Sequence, residues 1–219
     1  MTYFVLLFLE IVALFLLSRR ISKVFSKVMS INFLSFLFLP GIIIHELSHM
    51  LIAVILFVPV GDMEFTPKKS DNGLKLGSVE IAKTDPIRRS IIGFAPVFVG
   101  LIIILGIVYL FTSNILFFKD KEVYIFAVAV AGFIYLLFAV SNTMFSSRAD
   151  MEGTIEILIA LLIIFILVYA VGFRWQLSFE KILTKELFEV IRKSTIFLLV
   201  PIVIDLFILG MIKLIYKRR

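Results

Sequence analysis

The sequence predicts an all-α polytopic membrane protein, about six transmembrane helices with a small membrane-associated β-hairpin. Three observations carry that prediction. Apolar residues make up 61% of the 219 and the mean hydropathy is +1.11, more than a soluble core requires. The apolar runs recur at lengths near the roughly 20 residues that a helix needs to cross hydrocarbon. No polar block between them is long enough for a separate soluble domain, so residues 1–219 read as a single membrane-embedded domain.

The elements follow in order. Residues 3–17 are short for a span, and Arg19 and Arg20 come after the apolar run, where a secretory signal would place them before it; the segment reads as a retained helix. Residues 18–32 put Ile21, Val24, Phe25 and Val28 on one face and Arg19, Arg20, Lys23 and Lys27 largely on the other, which predicts an interfacial helix. A second span covers about 33–58, with Pro40-Gly41 predicting a break inside it. Residues 61–86 alternate apolar and polar positions around Ser70-Asp71-Asn72-Gly73, a turn signal that predicts the β-hairpin. Further spans are expected at about 91–112, 123–141, 154–172 and 195–216. Residues 178–193 carry Phe179, Ile182, Leu183, Leu187, Val190 and Ile191 at helical spacing and are expected to lie flat on the bilayer surface.

The net charge of +6 suits contact with anionic lipid headgroups, and no basic, aromatic-interleaved face suggests nucleic acid. Lys and Arg divide eleven against eleven between alternate sides of the predicted spans, so charge does not orient the chain. Cysteine is absent, which excludes disulfides, thiolate zinc sites and cysteine nucleophiles.

Inside the second span stands His45-Glu46-Leu47-Ser48-His49. Ionisable groups at bilayer depth are expensive and mark function or pairing. On a helix, positions i and i+4 share a face, so His45 and His49 can offer imidazole nitrogens to one zinc ion. Glu46 stands beside them, where its carboxylate can take a proton from an activated water. The plainer reading, two histidines serving as polar glue between helices, is weak. These are the chain's two histidines, and chance would give the pattern on the order of once in a thousand such chains. A catalytic zinc site normally has three protein ligands. Glu10, Asp150, Glu156 and Asp205 qualify by position. Asp150 is the best placed, in a polar irregular stretch, Val140 to Gly153, that membrane depth tolerates where it lines a buried or hydrated cavity. For Glu10 and Asp205 an interhelical hydrogen bond or a protonated carboxyl is the favoured reading.

Taken in order, these motifs resemble the site-2 protease family of intramembrane zinc metalloproteases. The active helix carries His45, Glu46 and His49; the stretch from Leu76 through the hairpin's end leads into a span with Gly93, Ala95 and Pro96, similar to the family's Gly-x-x-Pro-containing span. Asn142 and Asp150 stand at the separation of the family's Asn-x-x-Pro-x-x-x-x-Asp-Gly segment, with Phe145 in place of the proline and Met151 in place of the glycine. The resemblance implies Asp150 as third zinc ligand and Asn142 as a residue that holds the substrate backbone. It also implies that residues 59–90 and 141–153 face the cytoplasm.

The expectation is therefore an intramembrane zinc metalloendopeptidase, multi-pass in the cell membrane, with one Zn2+ per chain, Glu46 as general base and a transmembrane protein as substrate. The alternatives are a zinc-binding pseudoprotease that grips membrane helices, a membrane metallopeptidase with Glu156 as third ligand, and a small proton- or metal-coupled transporter using Glu10, Asp205 and the histidines.

Overall fold

The computed structural model describes residues 2–65, 68–70, 73–75, 77–119, 122–145 and 185–217. The described chain is mainly helical: α1 (Thr2–Val28), α2 (Ile31–Ile55), α3 (Pro86–Ser113), α4 (Ile115–Lys119), α5 (Val123–Thr143) and α6 (Lys185–Lys217), with strands β1 (Val60–Glu64), β2 (Lys68–Ser70), β3 (Gly73–Lys75) and β4 (Ser78–Ile81) between α2 and α3. Four helices are long and apolar enough to cross a membrane: Ile31–Ile55, Pro86–Ser113, Val123–Thr143 and Phe188–Leu214 within α6. Of the six expected spans, the first falls in α1, outside those four, and 154–172 lies outside the described residues.

Three sequence expectations are corrected. Residues 18–32 are not a separate interfacial helix: α1 runs unbroken to Val28. Ile21 and Phe25 are buried in a cluster with Leu34, Phe38, Ile42 and Phe138. No glycine or proline interrupts residues 2–28, so the ladder continues, and the amphipathic face that would suit a bilayer surface packs against protein instead. The described part of 178–193 is likewise not a separate surface helix, because α6 is continuous from Lys185 into the last span; residues 178–184 lie outside the described residues. Nor does Pro40-Gly41 break α2, which is helical on both sides of it.

Gly41 instead permits a close helix contact. A Cβ there would lie 2.5 Å from the Ala139 carbonyl oxygen, and nearer still to the Thr143 hydroxyl. Small residues let helix backbones approach in this way within a membrane. Tyr135 donates to the Phe36 carbonyl at 3.4 Å, so α5 runs beside α2 in the same direction, from Phe36 opposite Tyr135 to Gly41 opposite Thr143.

α2 ends by local chemistry. Val58 N–H bonds Ala53 O at 2.9 Å and Phe57 N–H bonds Val54 O at 3.0 Å, while Phe57 takes a φ of 57°; this is a Schellman cap. Its hydrophobic partners Ala53 and Val58 form a cluster with Ile92 of α3, and Val60 and Ile81 of the hairpin pack on it. α3 begins at an Asp-Pro signal: Asp85 accepts from Arg88 N–H at 3.0 Å, and Pro86 occupies the first helical position, where its missing N–H costs nothing.

The predicted hairpin is present as two nested antiparallel pairs. β1 pairs β4 with Val60 opposite Ile81 and Glu64 opposite Ser78, the register shifting between Val60 and Met63. β2 pairs β3 with Lys68 opposite Lys75 and Ser70 opposite Gly73. Phe65, just past β1, packs against the α1–α2 cluster around Phe25 and Phe38, so the hairpin leans from the α2–α3 end toward α1.

Candidate metal centre

His45, Glu46 and His49 all lie on the buried side of α2, each less than a tenth exposed. The helix places them there through its own period: Leu34, Phe38, Ile42 and Ala53 share the buried face, so the apolar stripe that drives packing carries the polar triplet inward with it.

The two imidazoles converge. Nε2 of His45 and Nε2 of His49 are 3.2 Å apart, with the ring planes at 82°. Two nitrogens bound at ~2.0–2.1 Å to one tetrahedral ion would stand about 3.3–3.4 Å apart, so the pair is spaced for a shared metal. The tautomer of His49 is set from outside the helix. Its Nδ1 lies 2.8 Å from the Ile92 carbonyl oxygen, and since a carbonyl can only accept, Nδ1–H donates and Nε2 carries the lone pair, directed at His45. A ligating histidine is characteristically oriented this way, its other nitrogen donating to a carbonyl or carboxylate. The residues present therefore fit a metal of imidazole preference such as zinc.

Glu46 is covered by the hairpin. At Gly77, between β3 and β4, a Cβ would sit 2.5 Å from Glu46 Oε1, 2.8 Å from Glu46 Cγ and 2.8 Å from the Glu64 carbonyl oxygen. The hairpin backbone thus rests directly on the carboxylate. Sequence reasoning did not single out Gly77; its signal is only the glycine itself in a strand-rich segment, which marks close backbone approach.

Compared with family models, with curated proteins and with solved structures, the chain matches none.

The remaining candidates are distributed as follows. Asn142 is buried at the end of α5, and its Nδ2 donates to the Phe138 carbonyl at 3.1 Å and to Asp205 Oδ1 of α6 at 3.0 Å. Asp205 is fully buried and engaged in the interhelical hydrogen bond weighed against a ligand role. Glu10 is buried in α1. Asp150 and Glu156 lie outside the described residues, and among the described residues no group of three His, Asp or Glu side chains is gathered as a metal-binding set. Phe145 packs in the core with Leu14, Val97 and Leu198, its ring edge-on to Phe15 at 5.5 Å.

Proposed function

We propose that the chain is an intramembrane zinc metalloendopeptidase acting on helices of transmembrane substrates. The observation that carries this reading is the pair of buried Nε2 atoms 3.2 Å apart, one with its lone pair fixed by a backbone carbonyl, next to the carboxylate-bearing Glu46 in the same helix turn. His45 and His49 are the proposed imidazole ligands. Asp150 is the proposed third, supported by the end of α5: its last turn lies against Gly41, one turn before His45 on the same face of α2.

When bound, zinc supplies Lewis acidity toward a peptide carbonyl and acidifies a nearby water. Glu46 accepts the proton of the attacking water and returns it to the departing amine. A substrate helix has its peptide groups closed by internal hydrogen bonds and must be opened locally before attack. The β1–β4 pair has strand edges onto which an opened segment can pair, and Asn142 is proposed to hold substrate backbone.

The test combines metal analysis with cleavage of a helical membrane substrate. Wild type is expected to hold one zinc per chain and to cut; Glu46→Gln is expected to keep zinc and lose cleavage at least about a thousandfold, within the range of general acid–base contributions to a hydrolytic step. Asp150→Ala is expected to lose zinc and Glu156→Ala to keep it. Cleavage by Glu46→Gln at the wild-type rate sinks the assignment, and a zinc-loaded wild type that cuts nothing selects the pseudoprotease.

A further inference from the structure

Each carbonyl in an α-helix normally accepts from the N–H four residues on. Proline has no N–H, so the carbonyl four residues before it is left without that donor. Two prolines inside the described helices stand four residues after a carbonyl that a neighbouring helix uses. Pro96 of α3 vacates the Ile92 carbonyl, and His49 Nδ1–H of α2 donates to it at 2.8 Å. Pro40 of α2 vacates the Phe36 carbonyl, and the Tyr135 hydroxyl of α5 donates to it at 3.4 Å. In both cases the register is i to i−4.

We propose that Pro96 is a positioning residue for His49: by removing the competing helical N–H it dedicates the Ile92 carbonyl to the imidazole and holds the ring in its Nδ1–H tautomer, Nε2 lone pair toward His45. Any other residue at 96 would bring back an N–H aimed along the α3 axis at the same oxygen. That oxygen has two lone pairs, so sharing weakens the link to His49 without abolishing it. Ile92, Gly93 and Pro96 are all buried, which excludes water as an easy substitute acceptor for Nδ1–H. The consequence for metal affinity rests on the zinc reading above; the tautomer is a property of the metal-free chain.

The experiment uses the full chain in detergent micelles, 15N-labelled at histidine, whose two residues give a simple spectrum. At alkaline pH, with the rings neutral and metal removed, wild-type His49 is expected in the Nδ1–H form. Pro96→Ala is expected to shift His49 measurably toward Nε2–H and to weaken zinc binding, read by chelator competition, by about 10- to 100-fold, the usual effect of losing an outer partner of a metal-ligating histidine. Pro40→Ala, which restores an N–H in the zinc helix itself but away from the imidazoles, is the control and is expected to change neither. The Nε2–H tautomer in wild type overturns the proposal even if Pro96→Ala does not fold. So does an unshifted tautomer in Pro96→Ala, or an equal effect from Pro40→Ala, which would mark general loosening of the helices. A wild type without zinc affinity sinks the metalloenzyme reading while the tautomer still decides the role of Pro96.

Discussion

The carboxylate of Glu46 and the backbone of Gly77 occupy adjoining space with no allowance for a side chain between them. Gly77→Ala is therefore expected to displace the proposed general base, lowering cleavage at least about tenfold with zinc content unchanged, on the scale of misplacing a catalytic group; Gly106→Ala, where a Cβ meets nothing within 4 Å, is the neutral control. Unaltered turnover in Gly77→Ala refutes the contact. Asp205 makes a separate prediction at the same scale. Asp205→Asn keeps an acceptor for the Asn142 amide and should be tolerated better than Asp205→Leu, which strands a buried donor. The difference is expected near the ~0.6 to ~1.7 kcal/mol of a hydrogen bond between membrane helices, measured by reversible unfolding in mixed micelles. The residues that make the candidate metal centre legible in the sequence, His45, Glu46 and His49, are so because helix geometry ties an i, i+4 spacing to a shared face. Gly77 and the Ile92 carbonyl are not: one is a tertiary approach across some thirty residues, the other a backbone atom without a sequence letter, betrayed only by Pro96 four places on.

Between α2 and α5, Gly41 sets the helix separation. Gly41→Ala is expected to destabilise the protein by about 1–3 kcal/mol through overpacking, whereas Gly210→Ala, with open space around its Cβ, is expected to show no such loss in the same unfolding measurement. The entry to α3 adds a pH dependence. The backbone N–H of Arg88, and then its guanidinium 3.2 Å from the carboxylate, hold the Asp85 carboxyl below its usual range. A carboxyl depressed in the folded state contributes stability above its unfolded pKa, and that contribution is lost as pH falls through the folded one. Asp85→Ala should accordingly lower the melting temperature at neutral pH, with the gap to wild type closing in acid; a constant gap contradicts the cap. Element positions were legible where breakers bound them, as Asp85-Pro86 bounds α3. They were misread at 18–32 and 185–193, where amphipathy is the same for a helix lying on lipid and one packed on protein, and only tertiary contacts choose between them.

Taken as a whole, the molecule exposes large apolar side chains on every long helix, Phe8, Phe36, Phe98, Val128 and Phe207 among them, as a surface solvated by hydrocarbon would. Alkaline carbonate washing of membranes is expected to leave the chain in the pellet; release into the supernatant contradicts the spanning assignment of the four helices.

The position of the hairpin has a further consequence, for depth. A two-stranded sheet keeps unpaired backbone groups along both edges, and hydrocarbon does not tolerate them exposed to lipid. The β1–β4 pair starts at the end of α2, where Val60 and Ile81 pack on Ala53 and Val58. At its other end Glu64 and Gly77 stand against Glu46, so the pair reaches down along the helix with its edges against protein or water and not lipid. Counting back from Ile55 at ~1.5 Å per residue puts His49 about 9 Å and His45 about 15 Å from the end of α2, and the hairpin carries polar backbone to that same depth. In the proposed hydrolysis, water is expected to reach Glu46 along the polar backbone of the hairpin, and a substrate segment to be opened beside that backbone and not in open hydrocarbon.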